Sequence, residues 1–311
     1  MSAPTLRDHL DLVRAPAVLS VVGDTLAGAA AAGHRPTPRR ALLPLASACL
    51  YAGGMALNDY ADRHLDALER PERPIPSGRV TPRRALAVAT GLTAGGIALA
   101  VAGGGRRALP VVLPLAASVW TYDTVAKESP AGPLVMAACR GLDVLLGAGV
   151  GHLRAAAPAA ATLAVHTAGV TVLSRGEVHG TTAPVATTVA AGTLAVAGSV
   201  VLGAVRAASG ARTLGEGPGL RRARLAVSVA ATAAYAATCL PRQVDAAQAP
   251  TADHARTATR SGIRAMLPLQ AAWAARGGHL PSVAVLAGVE VAGRFVRRAS
   301  RRPGRVEMSE T

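Results

Sequence analysis

What first constrains this chain is a succession of apolar blocks, each about as long as a helix that crosses a bilayer. A spanning helix needs about 20 mostly apolar residues, with a range of about 17 to 25. The segments near 15–33, 41–58, 85–105, 108–122, 132–152, 156–174, 183–205, 225–241, 262–276 and 280–296 reach or approach that length. The blocks at 108–122 and 262–276 are the short ones, so nine spans stand as the alternative to ten. Charged residues make up 16 % of the chain, below the roughly 25 % usual for soluble domains. Such a chain reads as an all-α integral membrane protein, a single domain over 1–311 with a core of about 10–280 and a basic tail at 297–311.

The net charge of +15 comes from arginines set between apolar blocks, and aromatic residues are only 2 % of the chain. Arginine without interleaved aromatics reads as anchoring to the headgroups of membrane lipids, not as nucleic-acid binding. Cytoplasmic loops carry the excess of Lys and Arg. Ten spans with the N-terminus inside put the arginines between Arg63 and Arg84, together with Lys127, Arg175, Arg242, Arg256, Arg260 and the tail, on the cytoplasmic side of the cell membrane. Nine spans would place the basic tail outside. Cys49, Cys139 and Cys239 lie far apart in apolar blocks and read as small buried hydrophobes. Asp8 and Asp11 precede the first apolar run and no small-residue cleavage site stands out, so a retained first span and no signal peptide are expected.

Acid is scarce and concentrated. Of eighteen Asp and Glu residues, five (Asp59, Asp62, Asp66, Glu69 and Glu72) fall in one stretch at the end of the second block, trailed by Arg70, Arg73, Pro74, Pro76, Ser77 and Gly78. On a helix the spacing puts Asp59, Asp62, Asp66 and Glu69 on one face, where four carboxylates are expected to converge. Two carboxylates about 6 Å apart at an effective dielectric near 20 repel by roughly 3 kcal/mol. A divalent cation removes that penalty. Hard oxygen ligands without Cys or paired His point to Mg²⁺, which typically combines one or two carboxylates with substrate phosphates. The alternative is a solvated helix end salt-bridged to Arg63, Arg70 and Arg73.

The run Asn58-Asp59-x-x-Asp62-x-x-x-Asp66, followed by Glu69-Arg70-Pro71-Glu72-Arg73-Pro74-Ile75-Pro76-Ser77-Gly78, resembles the first aspartate-rich motif and trailing signature of the UbiA superfamily of intramembrane prenyltransferases. The resemblance covers roughly residues 10 to 280. It implies a nine-helix bundle around a central cavity, with a Mg²⁺-bound isoprenyl diphosphate at the cytoplasmic mouth, and the segment 280–296 would be an added C-terminal span. It also implies transfer of the isoprenyl group to an aromatic or other lipophilic acceptor, with Asp59, Asp62 and Asp66 as metal ligands, Asn58 assisting, and Arg63 or Arg73 against the leaving group.

A second cluster follows at Tyr122-Asp123-Thr124-Val125-Ala126-Lys127, and Lys127 is the only lysine beside thirty-two arginines. A point charge suits a phosphate oxygen, and the resemblance places a diphosphate-binding lysine in this loop; a headgroup-anchoring lysine is the other reading. Tyr122 and Asp123 join it as substrate-binding candidates. Arg140 and Asp143 sit inside the fifth block, where ionisable groups are costly and usually face a cavity. They read either as a mutual pair or as contacts to the diphosphate. Asp24 and His166 are weaker candidates of the same kind.

The family's second acidic motif should fall near Ser174-Arg175-Gly176-Glu177-Val178-His179-Gly180, and here the chain departs from it, keeping one carboxylate. Either Glu177 holds a metal alone, or Arg175 takes over the electrostatic role and His179 acts on the acceptor as a base. This pattern resembles the EboC-like bacterial branch of the superfamily. A non-catalytic transport or accessory relative that binds a prenyl diphosphate or lipid is the alternative function. An alcohol phosphatidyltransferase would want an Asp-Gly-x-x-Ala-Arg pattern, which is missing.

Overall fold

The computed structural model describes residues 4–209 and 217–300. Among these residues every regular element is helical, as expected for a chain whose backbone must satisfy its own polar groups within lipid. Two short helices, α1 (Leu6–Leu12) and α2 (Ala15–Val18), precede α3 (Val22–Ala31), α4 (Leu42–Glu69), α5 (Pro82–Gly104), α6 (Leu109–Thr121), α7 (Gly132–Ala148), α8 (Leu153–Ser174), α9 (Ala183–Ser209), α10 (Pro218–Gln248), α11 (Ala252–Arg276) and α12 (Leu280–Ser300). The ten longer helices match the ten apolar blocks in order. The basic tail beyond residue 300 lies outside the described residues.

Two stretches differ from the sequence reading. The first block is not one helix: Arg14 takes a left-handed conformation, with φ at 47°, and the chain turns again between α2 and α3. The expected connection near 242–261 is instead mostly helix, because α10 runs to Gln248 and α11 restarts at Ala252 behind the Thr251 cap. Hydropathy marks where a helix leaves lipid and not where its hydrogen bonds stop, so polar turns continue beyond the apolar window. Five helical stretches are long and apolar enough to cross a membrane by length and composition alone: Pro82–Gly104, Arg106–Ala126, Val150–Ser174, Ala183–Ser209 and Pro218–Gln248. α12 is apolar only over Leu280–Gly293, short of the length a span needs.

Small residues set the packing. A Cβ on Gly28 of α3 would come within 1.8 Å of the Val144 carbonyl oxygen, and one on Gly147 of α7 within 2.0 Å of the Thr25 carbonyl oxygen. The two helices therefore cross backbone to backbone, the close approach that small residues allow in lipid. Helix α3 is wedged among α4, α7, α8 and α11. Around it Ala27, Val144, Leu163, Tyr235, Leu269 and Trp273 form one core, and Leu43, Leu50, Val112 and Leu115 form a second between α4 and α6.

Candidate functional site

Helix α4 continues from its apolar part through Asn58 to Glu69, and Arg70 ends it. The Arg-Pro-Ile-Pro-Ser-Gly stretch then folds back on the helix. Ile75 and Val80 are buried, the Val80 amide donates to the Pro74 carbonyl at 2.9 Å, and Gly78 takes the left-handed turn at φ 74°. This return carries Arg73 to the acidic helix, where its Nη1 lies 2.7 Å from Asp66 Oδ2 and 3.4 Å from Asp59 Oδ1.

From the other side the left-handed turn at Arg14 brings its Nη2 to within 3.1 Å of Asp59 Oδ1 and 3.2 Å of Asn58 Oδ1. A latch holds that N-terminal segment in place. Thr5 and Asp8 cap α1 reciprocally, and Arg79 Nη1 reaches Asp8 at 2.9 Å and Asp11 at 3.0 Å. The Thr5 hydrogen bonds, more than the Arg79 charge, hold the Asp8 carboxyl down at about 2.

The third cation arrives through a π-helical turn over Tyr122–Ala126, in which the Lys127 amide donates to the Tyr122 carbonyl at 2.9 Å. The extra residue in that turn shifts the helical phase, a device frequent at functional sites. It turns Asp123 inward, buried to 3 % exposure, and lets Lys127 Nζ donate to Asp62 Oδ1. Asp123 faces Lys127, Asp62 and Arg14. Four carboxylates thus stand with three cations, a net charge of −1.

The convergence expected for Asp59, Asp62, Asp66 and Glu69 is corrected on two counts. Glu69 is exposed, and its place in the cluster is taken by Asp123 from another helix. Among the described residues no group of three or more His, Cys, Asp or Glu side chains is poised to hold a metal ion. Arg14, Arg73 and Lys127 stand between the carboxylates and absorb the repulsion that was assigned to a cation. The donor set nevertheless fits Mg²⁺, being oxygen-only and one charge short of neutral. Arg63 is not part of the site, since its guanidinium lies 4.7 Å over the Tyr60 ring and donates to the Tyr60 carbonyl at 2.8 Å.

Below the cluster, between α3, α4, α6 and α7, lies a cavity of about 70 Å³. Tyr122 and Asp123 stand at its upper end, Leu50, Met55, Leu115 and Val119 wall it, and Asp24, Ser47, Arg140 and Asp143 lie at its far end. The expected Arg140–Asp143 pair is replaced by longer-range partners. Arg140 Nη1 pairs with Asp24 Oδ2 at 2.5 Å, and Asp143 Oδ2 accepts from Ser47 Oγ. Arg140 is thereby held deep in the bundle and not at the acidic motif. His166, on α8, is occupied by the Gly262 carbonyl and the Tyr235 hydroxyl.

The loop after α8 is different. Arg175 is exposed and donates to the Ser129 carbonyl, tying this loop to the one that holds Lys127. His179 is exposed. Glu177 is half-buried beside Thr259, with Arg260, Arg70 and Arg256 around it, and burial pushes its carboxyl above the usual range against those neighbours. Surroundings this basic do not suit a metal ligand, and the structure does not bring Glu177 into the carboxylate cluster. Arg14 is the residue that sequence reasoning missed, because only the fold brings residue 14 to residue 59.

A sequence profile described as the UbiA prenyltransferase family matches residues 21–240. A digeranylgeranylglyceryl phosphate synthase of Methanopyrus kandleri is 37 % identical over 153 residues, which are 47 % of this chain and 54 % of that protein. The synthase of the same name from Ignicoccus hospitalis is 43 % identical over 99 residues, 32 % of each chain. The chain thus spans about half the length of these curated relatives or less. Among solved structures, a UbiA homolog from Archaeoglobus fulgidus bound to DMAPP and Mg²⁺ superposes with a TM-score of 0.60 at 14 % identity, covering 89 % of this chain and 99 % of that one. The same homolog bound to GPP and Mg²⁺ gives 0.55 at 15 % identity, with the same coverage. At such identities the likeness shows the fold.

Proposed function

The chain belongs to the UbiA prenyltransferase family and is a multi-pass membrane protein, and from that premise we propose that it transfers an isoprenyl group from an isoprenyl diphosphate to a lipophilic acceptor. The whole of 1–311 acts as one domain in the cell membrane, with the acidic end of α4 facing the cytoplasm. The observation that carries this reading is the junction of an oxygen-rich, ion-paired cluster (Asp59, Asp62, Asp66, Asp123 with Arg14, Arg73, Lys127) with an apolar cavity. A molecule with a charged head and an apolar stem matches both halves.

In this reading Asp59, Asp62 and Asp66 hold Mg²⁺, which when bound screens the charge of the diphosphate, as the complexes named for the archaeal homolog suggest by analogy. The chain's own groups do the rest. Lys127 sits as a point charge beside Asp62, and Arg14 and Arg73 stand ready to exchange a carboxylate oxygen for a phosphate oxygen. As the C1–O bond breaks, negative charge collects on the diphosphate, and preorganised cations there lower the barrier without reorganising. The apolar wall of Leu50, Leu115 and Val119 keeps water from the allylic carbon until the acceptor captures it.

The test uses purified full-length protein with Mg²⁺ and radiolabelled prenyl diphosphates, reading pyrophosphate release and label in a lipid-extract acceptor. Asp62→Ala should abolish both. Equal behaviour of wild type and Asp62→Ala across chain lengths would end the prenyltransferase reading. The arginines around Glu177 favour a second reading, a relative that binds the diphosphate without turnover. Magnesium-dependent binding with no pyrophosphate release would support it.

A further inference from the structure

The loop after α8 is fixed in place by contacts that the acidic cluster does not make. The Thr181 amide donates to the Pro250 carbonyl at 3.1 Å and Gly180 turns at φ 91° against the same carbonyl, so the loop is seated on the turn that opens α11. Arg256 and Arg260 lie four residues apart on that helix and share a face. With Arg70 they surround Glu177. Arg70 also ends α4, four residues beyond the Asp66 that holds Arg73. Arg175 ties the start of the loop to Ser129, two residues past Lys127. The basic loop thus abuts the acidic cluster at two seams, the end of α4 and the Lys127 loop.

Charge decides what this loop receives. Three guanidiniums around one carboxylate leave +2, while Arg175 and Glu128, which both act on Tyr122, cancel. A dication brought to Glu177 meets one carboxylate in a net positive field, whereas phosphate oxygens meet guanidinium donors that bind them in charge-assisted pairs. Arg256 and Arg260 are exposed and Arg70 is half-buried, which leaves the guanidiniums accessible. A prenyl diphosphate carries about −3 near neutral pH, about two charges on its terminal phosphate and one on the inner one. One Mg²⁺ brings the acidic cluster from −1 to +1, so the diphosphate leaves −2, which is the charge these arginines neutralise. Glu177 serves as the counter-ion that lets three like charges stand together.

We propose that this chain holds the diphosphate with a single Mg²⁺ at Asp59, Asp62 and Asp66, and that Arg70, Arg256 and Arg260 bind its phosphate oxygens directly in the place of a second metal. This rests on the prenyltransferase reading and deepens it, since the mouth then takes one metal and one bare anionic face where two acidic motifs would take two metals.

The metal count tests this without turnover. Full-length protein in neutral detergent is titrated with Mn²⁺, standing in for Mg²⁺, in the presence of geranyl S-thiolodiphosphate, whose bridging sulfur resists ionisation. The electron paramagnetic resonance signal of free Mn²⁺ gives the number bound. Wild type should bind one Mn²⁺ per analogue, and so should Glu177→Gln. A count of two in wild type, or loss of a bound metal in Glu177→Gln, overturns the inference. Arg256→Gln and Arg260→Gln, made together, should weaken analogue binding at least about tenfold, the worth of hydrogen bonds between charged groups, and leave the count at one when the analogue saturates. Unchanged affinity, or a loss seen only when phosphatidylglycerol is added to the micelles, assigns these arginines to lipid headgroups and overturns the inference as well. Failure of wild type to bind the analogue with Mn²⁺ sinks the prenyltransferase reading instead, so the two failures are distinct.

Discussion

The acidic end of α4 and the loop after α8 handle charge in opposite ways. At Asn58 to Asp66 four carboxylates, counting Asp123, are matched to three cations drawn from three separate segments. At Arg175 to His179 one carboxylate is outnumbered by arginines, and its partner oxygen Oε1 is buried without a hydrogen bond. In the proposed reading the first arrangement exchanges these partners for an incoming metal and phosphate. The second already has an excess of positive charge and suits an anion directly. One acidic motif and one basic loop therefore make up the mouth, where the family pattern would put two acidic motifs.

The largest expected effect is kinetic. Asp62→Asn should lower the rate of pyrophosphate release by about 10²–10³-fold, as loss of a group aimed at developing charge commonly does. Glu177→Gln should cost less than about tenfold. Equal losses at the two positions would erase the asymmetry. Next in size is stability: Arg73→Ala strips the shared partner of Asp59 and Asp66 and should destabilise by about 3 kcal/mol, whereas the exposed Arg175→Ala should cost less than about 1 kcal/mol, both read from thermal melts in detergent.

Lys127→Arg sharpens the comparison further. A planar fork cannot replace the ammonium against Asp62 and a phosphate oxygen, so diphosphate affinity should fall about tenfold, measured by equilibrium binding with Mg²⁺. The pH dependence is the smallest effect and runs in opposite senses. The Asp8 carboxyl lies below its unfolded value, so the stability it gives the N-terminal latch is present above the unfolded pKa and is lost as pH falls toward about 2. The Glu177 carboxyl lies above its unfolded value, so its contribution is present at low pH and is lost as pH rises through the folded pKa. Asp8→Asn and Glu177→Gln should flatten the acid limb and the mildly acidic limb of the melting profile respectively.

Much of this was legible in the chain itself. The apolar blocks gave the all-helical class and the order of the helices, because a bilayer asks for apolar runs of about 20 residues. The Asn58 to Asp66 spacing put Asp59 and Asp66 beside one arginine because residues seven apart return to the same helix face after two turns. Glu69 defeated the same rule, since the helix ends there and the face turns to solvent. Arg140 and Asp143 were read as a pair because they are close in sequence, yet Arg140 found Asp24 on α3 and Asp143 found Ser47 on α4. Sequence distance carries no information about a neighbour supplied by another helix.

By itself, then, the sequence determined what depends on local periodicity: an all-helical membrane chain, the end of α4 as the charged site, and the unusual lysine at 127. Only the tertiary structure decided what depends on contacts between distant segments. It turned Arg14 through a left-handed residue onto Asp59, used a π-helical turn to aim Asp123 and Lys127 at Asp62, and surrounded Glu177 with arginines. The physical reason is that electrostatic energy at a buried site depends on distances of a few ångströms between helices, and those distances are set by where small residues such as Gly28 and Gly147 let backbones approach.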